Sequence, residues 1–146
     1  MDGICEEKLI QAAAEAMKNA YCIISDFPVG AAVLTTKGNI YKGCNTESVI
    51  SGMGVCAERS AIDNAVAHGE YCFTALAVTS NLVEPIKPCG MCRQYIGEFS
   101  QVVQQDIEVI MSGSEGELLR SSIRKLYPDS FGPEDLGVNL EGYRNR

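Results

Sequence analysis

The chain has 146 residues, of which 46% are hydrophobic and 21% charged; this fits one globular domain over residues 1–146 and excludes a disordered or fibrous protein. Twelve Lys and Arg against nineteen Asp and Glu leave a net charge of -7. That balance argues against nucleic acid as a partner, because phosphate binding draws on clustered basic side chains that this chain lacks. No apolar run approaches the roughly eighteen residues of a membrane span, and Met1 to Glu7 carry neither a basic nor an apolar leader, so a soluble, cytoplasmic protein is expected.

Residues Glu7 to Ala20 carry Leu9, Ile10, Ala13, Ala16 and Met17 at the spacing of one helical face, which predicts a first helix. Phe27-Pro28-Val29-Gly30 breaks that pattern. Ala31 to Thr35 and Ile40 to Cys44 then read as a hairpin, with Gly38 in the turn able to take a positive φ. After a loop at Gly52-Met53-Gly54, a second helix is predicted from Cys56 to His68, with Gly69 as its C-terminal cap. Phe73 to Thr79 is a compact apolar strand, Pro88 to Cys92 a turn, Arg93 to Phe99 a short helix and Ile107 to Met111 another strand. Beyond the turn at Gly113 to Gly116 come a weak strand at Glu117 to Arg120 and a short helix at Ser122 to Tyr127. The tail from Gly137 is polar and is expected to be irregular. Helices alternating with strands imply crossovers and a sheet covered on both faces. The expected fold is a three-layer α/β/α sandwich around a mixed sheet of about five strands.

The chemistry gathers at the starts of two predicted helices. Seven cysteines, at 5, 22, 44, 56, 72, 89 and 92, are an odd number, and in a reducing compartment clustered thiols point to metal or redox chemistry. Cys89-Gly90-Met91-Cys92 by itself fits half a structural zinc site, a redox pair or two ordinary thiols. Cys56 adds a third sulfur, and three thiolates on a tetrahedral ion leave the fourth position to water, as in catalytic zinc. Such a ligand set carries a net charge near -1, which weakens the ion as a Lewis acid. Two helix N-termini aimed at the sulfurs would offset that charge, and so would Arg59, three residues after Cys56 on the same side of its helix. Glu58, beside the ligands and not needed as one, has the chemistry of a general acid and base. A structural site would need a fourth protein ligand. The single histidine, His68, lies roughly 18 Å along the helix from Cys56, and Cys44 packs more readily as a small strand hydrophobe.

Cys56-Ala57-Glu58-Arg59 followed by Pro88-Cys89-Gly90-Met91-Cys92-Arg93-Gln94 resembles the signature of zinc-dependent nucleoside deaminases in its three-cysteine form. Phe27 to Ala32, Gly43 to Glu47 and Phe131 to Leu136 are similar, in the same order, to blocks of the short, homotetrameric cytidine deaminases. The resemblance implies one zinc ion per subunit on Cys56, Cys89 and Cys92, with Glu58 as the proton shuttle. It also implies Asn45 and Glu47 on the ribose hydroxyls, Phe27 lining the pyrimidine pocket, the Ala57 backbone on the base carbonyl and Phe131 reaching into a neighbouring subunit's site. The implied reaction is hydrolytic deamination of cytidine or 2′-deoxycytidine in pyrimidine salvage: water adds at C4, Glu58 protonates N3, and ammonia leaves after a second proton transfer. A modified cytosine nucleoside as substrate, or a catalytically silent nucleoside-binding homologue, are the alternatives. The chain departs from the family at Ser48 and Val49, where Asn-Ala is usual, at Ser51 in place of a Tyr, and at Ile24 in the Tyr-Ser-x-Phe block. These positions bear on affinity and substrate preference, and leave the metal motif and Glu58 untouched. Taken alone, Phe27 and Phe131 would more often be core residues, and Cys5, Cys22 and Cys72 read as inert buried thiols.

Overall fold

The computed structural model describes residues 2–146. The first helix, α1 (Gly3–Met17), starts before its first core residue because Asp2 caps it, its carboxylate accepting from the Cys5 N–H at 2.9 Å. It stops short of Ala20 because the last N–H groups bond three residues back, Asn19 to the Ala16 carbonyl and Ala20 to that of Met17. The predicted hairpin is present as β1 (Val29–Thr35) and β2 (Ile40–Cys44), with Gly38 at φ +87 in its turn. Next come α2 (Ala57–Ala67), β3 (Phe73–Ser80), α3 (Gly90–Val103), β4 (Glu108–Ser112), β5 (Leu118–Ser122) and the single turn α4 (Ile123–Leu126). Two elements lie where no element was expected: a 3-10 turn over Pro133–Leu136, and α5 (Glu141–Arg144) in the tail. Among the described residues, no helix is long and apolar enough to cross a membrane.

The five strands form one mixed sheet in the order β2-β1-β3-β4-β5, parallel only between β3 and β4. Side-chain alternation builds the three layers. Ala31, Val33, Leu76, Val78, Val109 and Met111 face α2 and α3, whereas Ala32, Ala75, Ala77 and Ile110 face Leu9 and Ala13 of α1. Phe73, Ile62, Leu76, Ile96 and Met111 are fully buried, each contributing about 1.5–3 kcal/mol of burial energy. The core is therefore that of a protein that folds on apolar packing. Cys5, Cys22 and Cys72 are partly exposed rather than buried.

Two glycines set how closely helices approach the sheet. A Cβ on Gly30 would lie 1.9 Å from the Ala13 carbonyl oxygen of α1, and one on Gly43 would lie 2.2 Å from the Ala61 nitrogen of α2. Strand register then collects the functional segments at one end of the sheet. Val29 pairs with Ser80, Gly30 with Cys44 and Thr79 with Ser112, so the start of β1 and the ends of β2, β3 and β4 all meet there. This is also where β3 switches from an antiparallel neighbour to a parallel one, the type of crevice in which open α/β sheets bind ligands.

Candidate metal centre and active site

Cys56 and Cys89 are the N-cap residues of α2 and α3, both in extended conformation, and neither helix has a side-chain cap on its first amides. The positive ends of both helices therefore face the sulfurs. The residue pattern predicts a turn over Pro88 to Cys92 followed by a helix from Arg93. The helix instead starts at Gly90, which places Cys92 in its first turn and brings its sulfur back towards Cys89. The Cys56 and Cys89 sulfurs are 3.7 Å apart, those of Cys89 and Cys92 are 3.5 Å apart, and all three lie within 4.8 Å of one another. Tetrahedral zinc with Zn–S bonds of about 2.3 Å needs sulfur separations of about 3.8 Å, so the three thiols fit that ion. Among the described residues the cluster contains no fourth His, Asp, Glu or Cys, which leaves one tetrahedral position for a small exogenous ligand. His68 is excluded from it: its Nδ1 lies 2.8 Å from the Asn64 carbonyl and its ring stacks on Tyr41.

The cluster is electrostatically tuned. The Cys56 thiol is drawn down to about 5, first by its hydrogen bond with Cys92 and then by those with Arg59 and Cys89, while Cys92 is raised in exchange. The Arg59 Nη2 donates to the Cys56 sulfur at 3.5 Å, and this contact holds the guanidinium more firmly charged. Arg59 reaches the sulfur from the groove between α2 and α3, where it lies beside Asp63 and Tyr95. Glu58 is 4% exposed, and burial pushes its carboxyl up to about 7, with the neighbouring Cys56 charge adding to the shift. A carboxyl poised there can both give and take a proton near neutral pH.

A cavity of about 510 Å³ opens onto this centre. Cys56, Ala57, Glu58 and Cys89 line it together with Ser25, Phe27, Val29, Asn45, Glu47, Ile86 and Lys87. Asn45 ties its near wall together: Oδ1 accepts from the Val29 N–H at 2.8 Å and Nδ2 donates to the Phe27 carbonyl at 2.9 Å. Glu47 accepts at Oε1 from the Ile24 and Ser25 N–H groups, at 2.9 and 3.0 Å, and at Oε2 from the Ser25 hydroxyl at 2.6 Å. Those bonds hold its carboxyl below the usual carboxylate range. The backbone pairs of Tyr21 with Thr46 and of Thr46 with Val55 lead directly into Cys56, linking this wall to the metal centre.

The structure thus brings Phe27, Asn45, Glu47, Ala57, Glu58 and two of the three cysteines to one cavity, with Cys92 behind it. Phe131 is elsewhere. It is 58% exposed, its carbonyl accepts from Gln94 Nε2 at 2.8 Å, and it lines a separate depression with Leu136 and Val138. Of the departures from the family pattern, the Ser48 hydroxyl accepts from the Ile50 N–H at 3.0 Å, and Ile24, Val49 and Ser51 stand out into solvent. Ser25, Ile86 and Lys87 on the cavity wall and Arg93 behind Cys89 have no role in the sequence pattern. Arg93 anchors the loop before Cys89, donating from Nε to the Pro88 carbonyl at 2.8 Å and from Nη1 to that of Leu126 at 2.9 Å. Ser25 had a local signal, since a serine two residues before an amide commonly bonds it, and the Phe27 N–H does donate to Ser25 Oγ at 3.1 Å.

Residues 4–117 match the family model described as the cytidine and deoxycytidylate deaminase zinc-binding region. The chain is 42% identical over 135 residues to the cytidine deaminase of Sporosarcina psychrophila, covering 92% of this chain and 97% of that one. It is 40% identical to a probable cytidine deaminase of Dictyostelium discoideum, covering 92% and 89%. Among solved structures, the cytidine deaminase of Burkholderia pseudomallei superimposes with a TM-score of 0.80 at 38% identity, over 90% of this chain and all of that one.

Proposed function

The chain belongs to the cytidine and deoxycytidylate deaminase family, and from that premise we propose that it deaminates cytidine or 2′-deoxycytidine hydrolytically, giving the uracil nucleoside and ammonia. One observation carries the reading: three thiols stand at the spacing of a tetrahedral zinc site, and two of them line a cavity together with a buried carboxyl that is not among the ligands. Zinc on Cys56, Cys89 and Cys92 supplies Lewis acidity that brings the pKa of a water molecule towards neutrality.

The other parts of the reaction fall to the chain's own groups. Glu58 takes the proton of the attacking water, delivers it to N3 of the cytosine ring, and passes the second proton to the departing amino nitrogen. Its burial supports this role, because a carboxyl near neutrality loses and regains a proton at little cost. Arg59 offsets the charge of the thiolates from outside the cavity, while the Ala57 N–H is assigned to the base carbonyl and Phe27 to the ring face.

Asn45 and Glu47 have limited polar capacity left. A carboxylate offers roughly four acceptor sites; three on Glu47 are filled, leaving one on Oε2. Asn45 keeps one amide hydrogen after its bond to Phe27. One acceptor and one donor suit a single hydroxyl that gives one hydrogen bond and receives another. This supports a free sugar hydroxyl at that wall and, with the net charge of -7, a nucleoside rather than a polynucleotide as substrate.

We further infer a cytoplasmic homotetramer serving pyrimidine salvage, with Phe131 completing a neighbour's site. Exposed Phe131, Val49, Ile50, Met53 and Met91 support it as apolar surface in need of cover, and the seven unpaired cysteines support a reducing compartment. The test is the ultraviolet change on incubating the zinc-loaded protein with cytidine. Turnover by the wild type and none by a Glu58→Gln variant that retains its zinc is the expected result. A wild type inert on cytidine would redirect the reading to a modified cytosine nucleoside, and loss of zinc from Glu58→Gln would overturn the shuttle assignment.

A further inference from the structure

We propose that Ser25 is a positioning residue for nucleoside binding, its hydroxyl fixing Glu47 and Phe27 in one arrangement; the proposal rests on the nucleoside reading above. Ser25 Oγ stands at the junction of two links. It donates to Glu47 Oε2 at 2.6 Å and accepts from the Phe27 N–H at 3.1 Å. Its single hydrogen is spent on Glu47, so it has none left to donate to a ligand. Glu47 depends on this loop: its carboxylate's bonds come from Ile24 and Ser25, and among the described residues neither ion pair includes it. Asn45 closes the circuit by holding the Phe27 carbonyl and the Val29 N–H.

A single serine hydroxyl, 22 residues before Glu47 in sequence, thus couples the acceptor assigned to the sugar with the ring assigned to the base. With the hydroxyl in place, Glu47 Oε2 stands pre-oriented with one acceptor site left. Without it, Oε2 has no hydrogen-bond donor among the described residues, and the Phe27 amide loses its partner. Binding a sugar hydroxyl must then include the cost of ordering Glu47, whereas Phe27 stays held through its carbonyl by Asn45. Because the hydroxyl is spent on Glu47, its effect should follow the sugar hydroxyl rather than the reacting ring.

The test pairs Ser25→Ala and Ser25→Thr with substrates that have or lack one hydroxyl. For Ser25→Ala, kcat/KM on cytidine is expected to fall about tenfold, through KM, with kcat within about twofold. On 3′-deoxycytidine, the wild type and Ser25→Ala are expected to agree within about twofold. Ser25→Thr, which keeps the hydroxyl, is expected to recover cytidine to within about threefold. Equal losses on both substrates, a fall in kcat with KM unchanged, or no loss on cytidine would each overturn the proposal. Calorimetric binding of uridine and 3′-deoxyuridine reads the same coupling without turnover, so an inactive wild type does not hide the result. Weaker uridine binding in Ser25→Ala, with 3′-deoxyuridine unaffected, supports the proposal; equal weakening of both overturns it.

Discussion

Replacing Gly43 with alanine tests the link between sheet packing and the metal centre. The three atoms nearest the new Cβ would all be α2 backbone: the Ala61 nitrogen at 2.2 Å, the Ala57 carbonyl oxygen at 2.6 Å and the Ala61 Cα at 2.8 Å. Ordinary contact begins at about 3.4 Å, so the first two turns of α2 must move away from the sheet by about 1.2 Å. Those turns carry Glu58 and follow directly from Cys56, whereas Cys89 and Cys92 belong to α3 and have no reason to follow. A ligand set tolerates only about 0.2 Å, so the sulfur triangle opens before the fold fails. Overpacking of this kind costs about 1–3 kcal/mol. The control is Gly30→Ala, whose Cβ would lie 1.9 Å from the Ala13 carbonyl oxygen and 2.7 Å from the Met17 nitrogen, displacing α1 on the face without ligands. Denaturant melts should show both variants destabilised, while elemental analysis of the folded fraction should show zinc depleted in Gly43→Ala and held near one per chain in Gly30→Ala. One zinc and wild-type kcat/KM in Gly43→Ala would refute the reasoning, as would equal zinc loss in both variants.

Phe131→Ala is expected to lower activity although Phe131 does not line its own subunit's cavity. Mixing this variant with Glu58→Gln should restore turnover, because each supplies what the other lacks, and no recovery after subunit exchange would refute completion by a neighbour. Glu6 and Arg120 form an ion pair, and the Arg120 hydrogen bond holds the Glu6 carboxyl below its ordinary value of 4.5. The folded state thus binds this proton less readily than the unfolded chain does. The pair's contribution is complete above the ordinary value and is lost as pH falls through the lower, folded one. Arg120→Ala is therefore expected to lower Tm at about pH 7, by a difference that shrinks as pH falls below the ordinary carboxylate value; a difference that does not shrink in acid would show that the effect is not electrostatic.

How far the sequence could be read follows from how local each signal was. The ligand pair Cys89 and Cys92 lies within one helical turn, and Ala57, Ala61, Ile62 and Ala65 mark the buried face of α2, so both were legible. The start of α3 was missed because Pro88 and Gly90 are both helix breakers in a chain interior. At a helix start they cost little, since the first amides lack intrahelical partners in any case. The turn at Pro133 had a local signal as well: its Asp135 carboxylate accepts from the Gly132 N–H at 2.7 Å. The Ser25 and Glu47 contact had none, because it depends on two loops meeting only after β1 and β2 have paired. The same holds for Arg144, which finds its partners on α3 about forty residues back in the chain.

That last contact changes how the helix pair α2 and α3 comes apart. At its far end, α3 is held by Arg144, which donates to the carbonyls of Val102 and Gln101 at 2.7 and 3.3 Å. At its first turn, a zinc ion on the three thiols ties it to α2 and closes a chain loop between residues 33 apart, a cross-link that limits the unfolded chain much as a disulfide does. With both ends fastened, α3 cannot fray one turn at a time. In deuterium exchange, chelation and truncation after Leu140 are then each expected to expose the same helix, from opposite ends.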